Sequence, residues 1–184
     1  WTLPSNTALA VGKKIDYLLI ETLNRYTGKT ITVIVSKDLA NKYFSNENGT
    51  LKFEDFKVGN KNIPYIIRSE FKGSDLEGLK YEQLLQYAQP EDGDAFRVIF
   101  GDFVTTEDGT GIVHIAPSFG ADDYRVAKQN GIGSLTLVDK QGKFVDTVTD
   151  FAKMYVRDDY YMEGEEKPKL SVDVQIVIKL KEED

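Results

Sequence analysis

The residues with the most chemical potential gather in one stretch, Gly109-Thr110-Gly111-Ile112-Val113-His114-Ile115-Ala116-Pro117-Ser118-Phe119-Gly120-Ala121-Asp122-Asp123-Tyr124. His114 is the only histidine in 184 residues. An apolar alternating run delivers it to a Pro/Ser/Gly bend. The carboxylate pair Asp122-Asp123 follows where a helix is expected to start. A titratable ring, two acids and free backbone N–H groups on one turn are the ingredients of a ligand site. Each also has a plainer reading. His114 could be a half-buried ring bonded to a neighbouring carbonyl. Aspartates in a first helical turn are favoured by the dipole alone. Adjacent side chains on a helix diverge by about 100°, so at most one acid of the pair can face a pocket. Gly109, Thr110 and Gly111 could serve hairpin geometry, or they could offer bare backbone to a ligand. The opening residues Trp1-Thr2-Leu3-Pro4-Ser5-Asn6 add a flat apolar wall, a hydroxyl and an amide, unless they are simply a frayed end.

Composition removes several classes of function. There are no cysteines, so disulfides, thiolate metal sites and cysteine nucleophiles are impossible. One histidine leaves zinc to carboxylates, a poor donor set. A carboxylate site for Mg²⁺ or Ca²⁺ stays open, although no calcium-loop spacing occurs. Neither a Walker nor a dinucleotide glycine pattern is present, and Gly-x-Ser-x-Gly is missing. The net charge of −7 lacks the basic footprint of an autonomous nucleic-acid binder. No apolar run reaches membrane-spanning length, and no signal peptide is visible. The start at Trp1 and the charged end read as a piece cut from a longer polypeptide.

The elements that must position these residues are mostly short strands. Thr7–Val11, Asp16–Thr22, Thr30–Val35, Tyr65–Phe71, Ala95–Val104 and Gly111–Ile115 carry strand patterns. Leu51–Val58 alternates with a break, which predicts a bent strand. Ser36 is expected to cap a short helix to about Tyr43. Ala121–Gln129 is a helix closed by Asn130-Gly131. Tyr81–Tyr87 and Phe151–Tyr155 fit short helical pieces, and Val138–Val145 reads as a hairpin. The stretch from Ser171 to Lys181 fits two patterns. Val172, Val174, Ile176, Ile178 and Leu180 alternate like a strand, while Val172, Ile176 and Leu180 also share one helical face. Together these features predict one α/β domain over residues 1–184, strand-rich, with a barrel-like core and peripheral short helices.

At two segments the chain resembles a known family. Trp1-Thr2-Leu3-Pro4-Ser5-Asn6-Thr7-Ala8-Leu9-Ala10-Val11 is similar to the start of the editing domain inserted into the isoleucyl class I aminoacyl-tRNA synthetases. Gly109–Pro117, with Gly120 and Asp122-Asp123, resembles that domain's second signature. Leu76-Glu77-Gly78-Leu79-Lys80-Tyr81 matches a weaker pattern between them. The resemblance implies a β-barrel-centred α/β module that hydrolyses valine from mischarged tRNA for isoleucine, and handles valyl-adenylate. Isoleucine against valine is the standard illustration of a limit of selective binding: one methylene in an apolar pocket is worth only about 1–3 kcal/mol. A second, smaller sieve is therefore needed.

Carried over by position, Asp123 would hold the substrate α-ammonium. His114 would line the side-chain pocket and exclude the isoleucyl group. Thr2 and Asn6 would join the polar wall, Trp1 the apolar edge, and Gly109, Thr110 and Gly111 the substrate-binding turn. The imidazole and the second acid would open onto one small cavity. The reaction would be attack of water on an aminoacyl ester with no metal or cofactor in this domain. ATP and Mg²⁺ would belong to the synthetic domain. The partners implied are the 3′ end of tRNA(Ile) carrying valine and the rest of the synthetase chain, in the cytoplasm, without a membrane. The family's opening motif carries a threonine-rich run ahead of the Trp, so the sequence from Trp1 is expected to bind valine analogues but hydrolyse weakly. The resemblance also implies a helix from Ser171 to Lys181. Two other readings stay open: a non-catalytic RNA- or protein-binding barrel, and a valyl- or leucyl-type editing domain.

Overall fold

A computed structural model describes residues 1–182, and within it the chain forms two compact units, neither continuous in sequence. The first comprises the described residues of 1–8, 81–96 and 114–182; the second comprises 9–80 and 97–113.

Nearly all the strands belong to the second unit. They are β1 (Ala8–Val11), β2 (Asp16–Leu23), β3 (Thr30–Ser36), β4 (Tyr65–Lys72), β5 (Arg97–Phe100) and β6 (Ile112–Ile115). The ends of β1 and β6 run into segments of the first unit. β2 pairs antiparallel with both β3 and β4, and a bulge interrupts its β4 register at Leu19/Ile20. β1 lies between β5 and β6 in the other sheet. Among the described residues these are two separate three-stranded sheets, and they do not close into the barrel that the run of strands predicts. Closure needs hydrogen-bonded neighbours on every strand edge, and β3 and β4 each end their sheet.

Leu18, Ile20 and Val35 alternate onto one face of β2 and β3 and are covered by Leu39 and Ala40 of a short helix, α1 (Lys37–Ala40). Ser36 precedes that helix as expected but makes no side-chain cap bond. Leu51–Val58 does not pair as a strand. Phe53–Asp55 makes a 3₁₀ turn instead. The spacing of Phe53 and Phe56 is three, which matches that turn and not the two-residue period of a sheet. Tyr17 locks this unit internally. Its buried hydroxyl donates to the Gly111 carbonyl (2.6 Å) and accepts the Gly12 N–H (3.0 Å). Burial pushes the phenol above its ordinary value, so it stays a donor.

The first unit is built around Leu135, Leu137, Phe144, Val148, Phe151 and Val156. Two helices belong to it, α2 (Ala121–Gln129) and α3 (Val172–Glu182). In α3 the i, i+4 stripe wins over the alternation, because Val172 and Ile176 sink into this core. Val174 and Ile178, which a strand would place on the same side, are 43% and 40% exposed. Tyr81–Tyr87 forms no helix; the Tyr81 N–H donates instead to the Phe96 carbonyl (2.9 Å). Phe96 sits at φ +55°, a left-handed conformation unusual for a bulky residue. This turn of the backbone starts β5 at Arg97, two residues later than its apolar pattern. Val138–Val145 folds back as the expected hairpin, with an antiparallel bridge between Val138 and Phe144. The Asp139 and Val145 N–H groups donate to the Lys143 and Leu137 carbonyls (2.8 and 3.1 Å). Phe151–Lys153 is a turn, and Tyr155 bridges to Lys143.

Removing the Tyr17 hydroxyl tests the second unit. Tyr17→Phe leaves a buried N–H and carbonyl without their partner and is expected to cost about 1–3 kcal/mol. Urea unfolding should show a lower midpoint with an unchanged slope.

Candidate functional site

The site grows from two pieces of the first unit that lie far apart in sequence. Pro4 sits in a 3₁₀ turn at Leu3–Ser5, where its fixed φ suits the first helical positions. That turn and the segment after it are anchored: the Thr7 N–H donates to the Ile115 carbonyl (2.9 Å), and the Phe96 N–H to the Thr7 carbonyl (2.7 Å). Thr2 then faces the end of β6. Its hydroxyl lies 3.0 Å from His114 Nε2. Trp1 meets Phe119 edge-to-face, with ring centroids 5.1 Å apart.

His114 is half-buried. Its Nδ1 is buried without a hydrogen-bond partner among the described residues. Burial pushes the imidazole below its ordinary value, and the negative charge of Asp123 acts in the opposite direction. The ring is therefore neutral at neutral pH. An Nε2–H donating to Thr2 leaves Nδ1 as a lone-pair acceptor, whereas the other tautomer would bury an unpaired N–H.

The bend after β6 is closed by the helix that follows it. The Phe119 N–H donates to the Ala116 carbonyl (2.9 Å). Gly120 is the N-cap of α2, and Asp122 and Asp123 occupy its first turn. The two acids part as helical geometry requires. Asp122 is exposed and pairs with Arg125 (3.3 Å). Asp123 is half-buried and turns back across the bend, and its Oδ2 accepts the Ala116 N–H (2.8 Å).

Asn6 is only 6% exposed. Its Nδ2 donates to the Ala8 carbonyl (2.9 Å), and its Oδ1 accepts the Tyr81 hydroxyl (2.5 Å). The amide thus holds the opening segment in shape, with both ends engaged inside the unit. Burial pushes the Tyr81 phenol well up, so it donates throughout the ordinary pH range. Tyr81 carries the weaker central motif, and its pairing with Asn6 leaves no trace in residue spacing. Phe119, edge-to-face with Trp1, gives no sequence signal beyond being aromatic.

Gly109, Thr110 and Gly111 belong to the second unit. Their carbonyls accept the Tyr43 hydroxyl, the Ser36 N–H and the Tyr17 hydroxyl in turn. Gly109 and Gly111 have φ of +68° and +78°, and a Cβ on Gly111 would come within 2.5 Å of Ser36 Cβ. Turn geometry and packing account for both glycines. The structure thus brings Trp1, Thr2, His114 and Asp123 into one unit, with Asn6 behind them as a brace. Hollows of about 290–440 Å³ open on the described surface. Trp1 borders one of about 420 Å³ with Arg157, Ser171 and Asp173. Neither His114 nor Asp123 lines these hollows. Among the described residues no group of three or more acids and histidines is placed to hold a metal ion.

No family model matches the chain. Its relatives do. An isoleucine–tRNA ligase of Cytophaga hutchinsonii is 53% identical over 99% of this chain and 18% of its own length. That of Bacteroides fragilis is 54% identical over 86% of the chain and 14% of its own length, and that of Clostridium tetani 43% over 85% and 13%. A solved structure, GlLeuRS-CP1, shows a slight likeness, with TM-score 0.45 and 26% identity over 70% of this chain and 40% of that one. The chain therefore spans less than a fifth of the length of the ligases it matches. Over nearly its whole length the chain is similar to one segment of the isoleucine–tRNA ligases.

Proposed function

We propose that this segment is the proofreading module of an isoleucine–tRNA ligase, and that it hydrolyses the ester of valine mischarged onto tRNA(Ile). The observation that carries the reading is the contact between Thr2 Oγ1 and His114 Nε2, which joins two motifs 112 residues apart into one wall.

The chemistry asked of that wall is modest. Water adds to the ester carbonyl carbon, the bond from that carbon to the ribose oxygen breaks, and valine and a free ribose hydroxyl leave. The protein's share is positioning, which converts an encounter into a reaction within a held complex. Asp123 supplies the charged anchor. With Oδ2 engaged by the Ala116 N–H, Oδ1 remains to take the substrate α-ammonium in a charge-assisted hydrogen bond. His114 supplies the limit on size. Held by Thr2, the ring stands as a wall against the branched side chain, and its neutral state avoids repelling the α-ammonium. Trp1, backed by Phe119, gives the apolar edge. The net charge of −7 fits a module that receives only the end of the RNA while other parts of a ligase grip its body.

In a full-length ligase carrying this segment, Asp123→Ala is expected to lower valyl-tRNA deacylation by about 10- to 150-fold, the equivalent of a charged hydrogen bond of roughly 1.5–3 kcal/mol. Deacylation at the wild-type rate would refute the anchor. Shrinking the ring with His114→Ala should let isoleucyl-tRNA be hydrolysed as well. A variant that still spares the cognate ester would remove the steric role.

The buried imidazole also sets a pH dependence. Its folded pKa lies below its unfolded value, so on acidification the unfolded chain takes up the proton first. Its contribution to stability is complete above about pH 6.5 and is lost as pH falls toward the folded pKa. Between about pH 7.5 and pH 5.5 the wild type should lose more thermal stability than His114→Gln. Equal losses in calorimetry would show that the ring is not held neutral by burial.

A further inference from the structure

The geometry points to Gly120 as a positioning residue: the empty space at its missing side chain is what lets the Asp123 carboxylate turn back onto the Ala116 N–H with one oxygen left to meet a ligand. This inference deepens the proofreading reading and rests on it for the ligand, but not for the geometry.

The glycine is not required by its backbone. Gly120 has φ −146° and ψ 133°, ordinary extended values open to any residue. Nor does helix capping demand it, because Ser, Thr, Asp and Asn serve an N-cap as well or better. What excludes a side chain is Asp123. A Cβ built on Gly120 would lie 2.9 Å from Asp123 Cγ and 2.9 Å from its Oδ1. Of the nearest atoms met there, all belong to that one side chain.

The carboxylate cannot give way without losing its place. Oδ2 is bonded to the N–H of Ala116, a buried residue, at 2.8 Å. Rotation about the aspartate side chain relieves the clash at Gly120 but breaks that bond and carries Oδ1 elsewhere. An added methyl group therefore disturbs the fold little and the acid a great deal. The segment Ala116–Asp123 works as a closed clasp: strand end, bend, bare Cα, then an acid folded back to the start.

Because this chain has a single histidine, one imidazole resonance reports on the acid without any assay of activity. Asp123 favours the imidazolium form of His114. In Gly120→Ala, NMR titration of this chain should move His114 to lower pH, in the direction that Asp123→Asn moves it. In the full-length ligase the same substitution should lower kcat/KM for valyl-tRNA deacylation by about 100-fold, the scale of a misplacement of about 1 Å. Serine at position 120, although a good N-cap, should behave like alanine. An unmoved titration together with unchanged deacylation in Gly120→Ala would overturn the inference. So would a loss of folding in Gly120→Ala that persists in Gly120→Ala/Asp123→Ala, where the colliding carboxylate is gone; that double variant is expected to fold as Asp123→Ala does. If Asp123→Asn itself deacylates normally, the proofreading role of the acid falls, and the titration alone then decides the role of Gly120.

Discussion

The bond between Asp123 Oδ2 and the Ala116 N–H fixes the rest of the site. It is a carboxylate in the first turn of a helix, where negative charge is already favoured, accepting from a backbone N–H of the bend before that helix. The bond closes the bend between β6 and α2 and sets the direction in which the second oxygen points. It also holds a negative charge in the field of a half-buried imidazole. Burial and that charge pull the ring in opposite senses, and burial is the larger effect, so His114 remains neutral. In the proposed reading a neutral ring serves as a wall, where a charged one would repel the substrate α-ammonium.

The other constraint is the opening segment. Thr2 reaches His114, Trp1 rests on Phe119, and Asn6 is held on both sides by Ala8 and Tyr81. The phenol of Tyr81 stands edge-on to the ring of Phe96, with centroids 6.1 Å apart, and Phe96 carries a left-handed backbone. Such a conformation persists where the surroundings over-determine it. Here these surroundings are the Thr7 carbonyl on one side and Tyr81 on the other. Polar groups that look like ligands in sequence thus divide into two kinds: Asn6 has both ends of its amide engaged by the scaffold, while Thr2 contacts His114 and Asp123 keeps one carboxylate oxygen beyond its bond to the Ala116 N–H.

Much of this was legible before any coordinates. The bounds of α2 follow from Gly120, the paired acids and Asn130-Gly131, and the structure gives Ala121–Gln129. β2, β3, β4 and β6 follow their β-branched or alternating patterns to within a residue or so. The divergence of Asp122 from Asp123 needed only the helical period. The misreadings share a cause. Leu51–Val58 looks strand-like, but no strand edge receives it, and the threefold spacing of its phenylalanines settles into a turn. Tyr81–Tyr87 has helical composition, but its backbone is claimed by Phe96. A strand or helix pattern states what a segment can do; the available partner states what it does.

Residue types and local spacing by themselves determined where the helix carrying the acids begins, that one acid must face away, that thiol chemistry is closed to this chain, and which family its motifs match. Those are properties of covalent composition and of a fixed 3.6-residue period, and they need no knowledge of distant neighbours. Only the tertiary structure decided that Thr2 meets His114, that Asn6 is turned inward, that α3 is helical, that the strands form two open sheets, and that Gly120 is bare because Asp123 lies over it. Each of these depends on contacts between residues or segments that packing alone brings together.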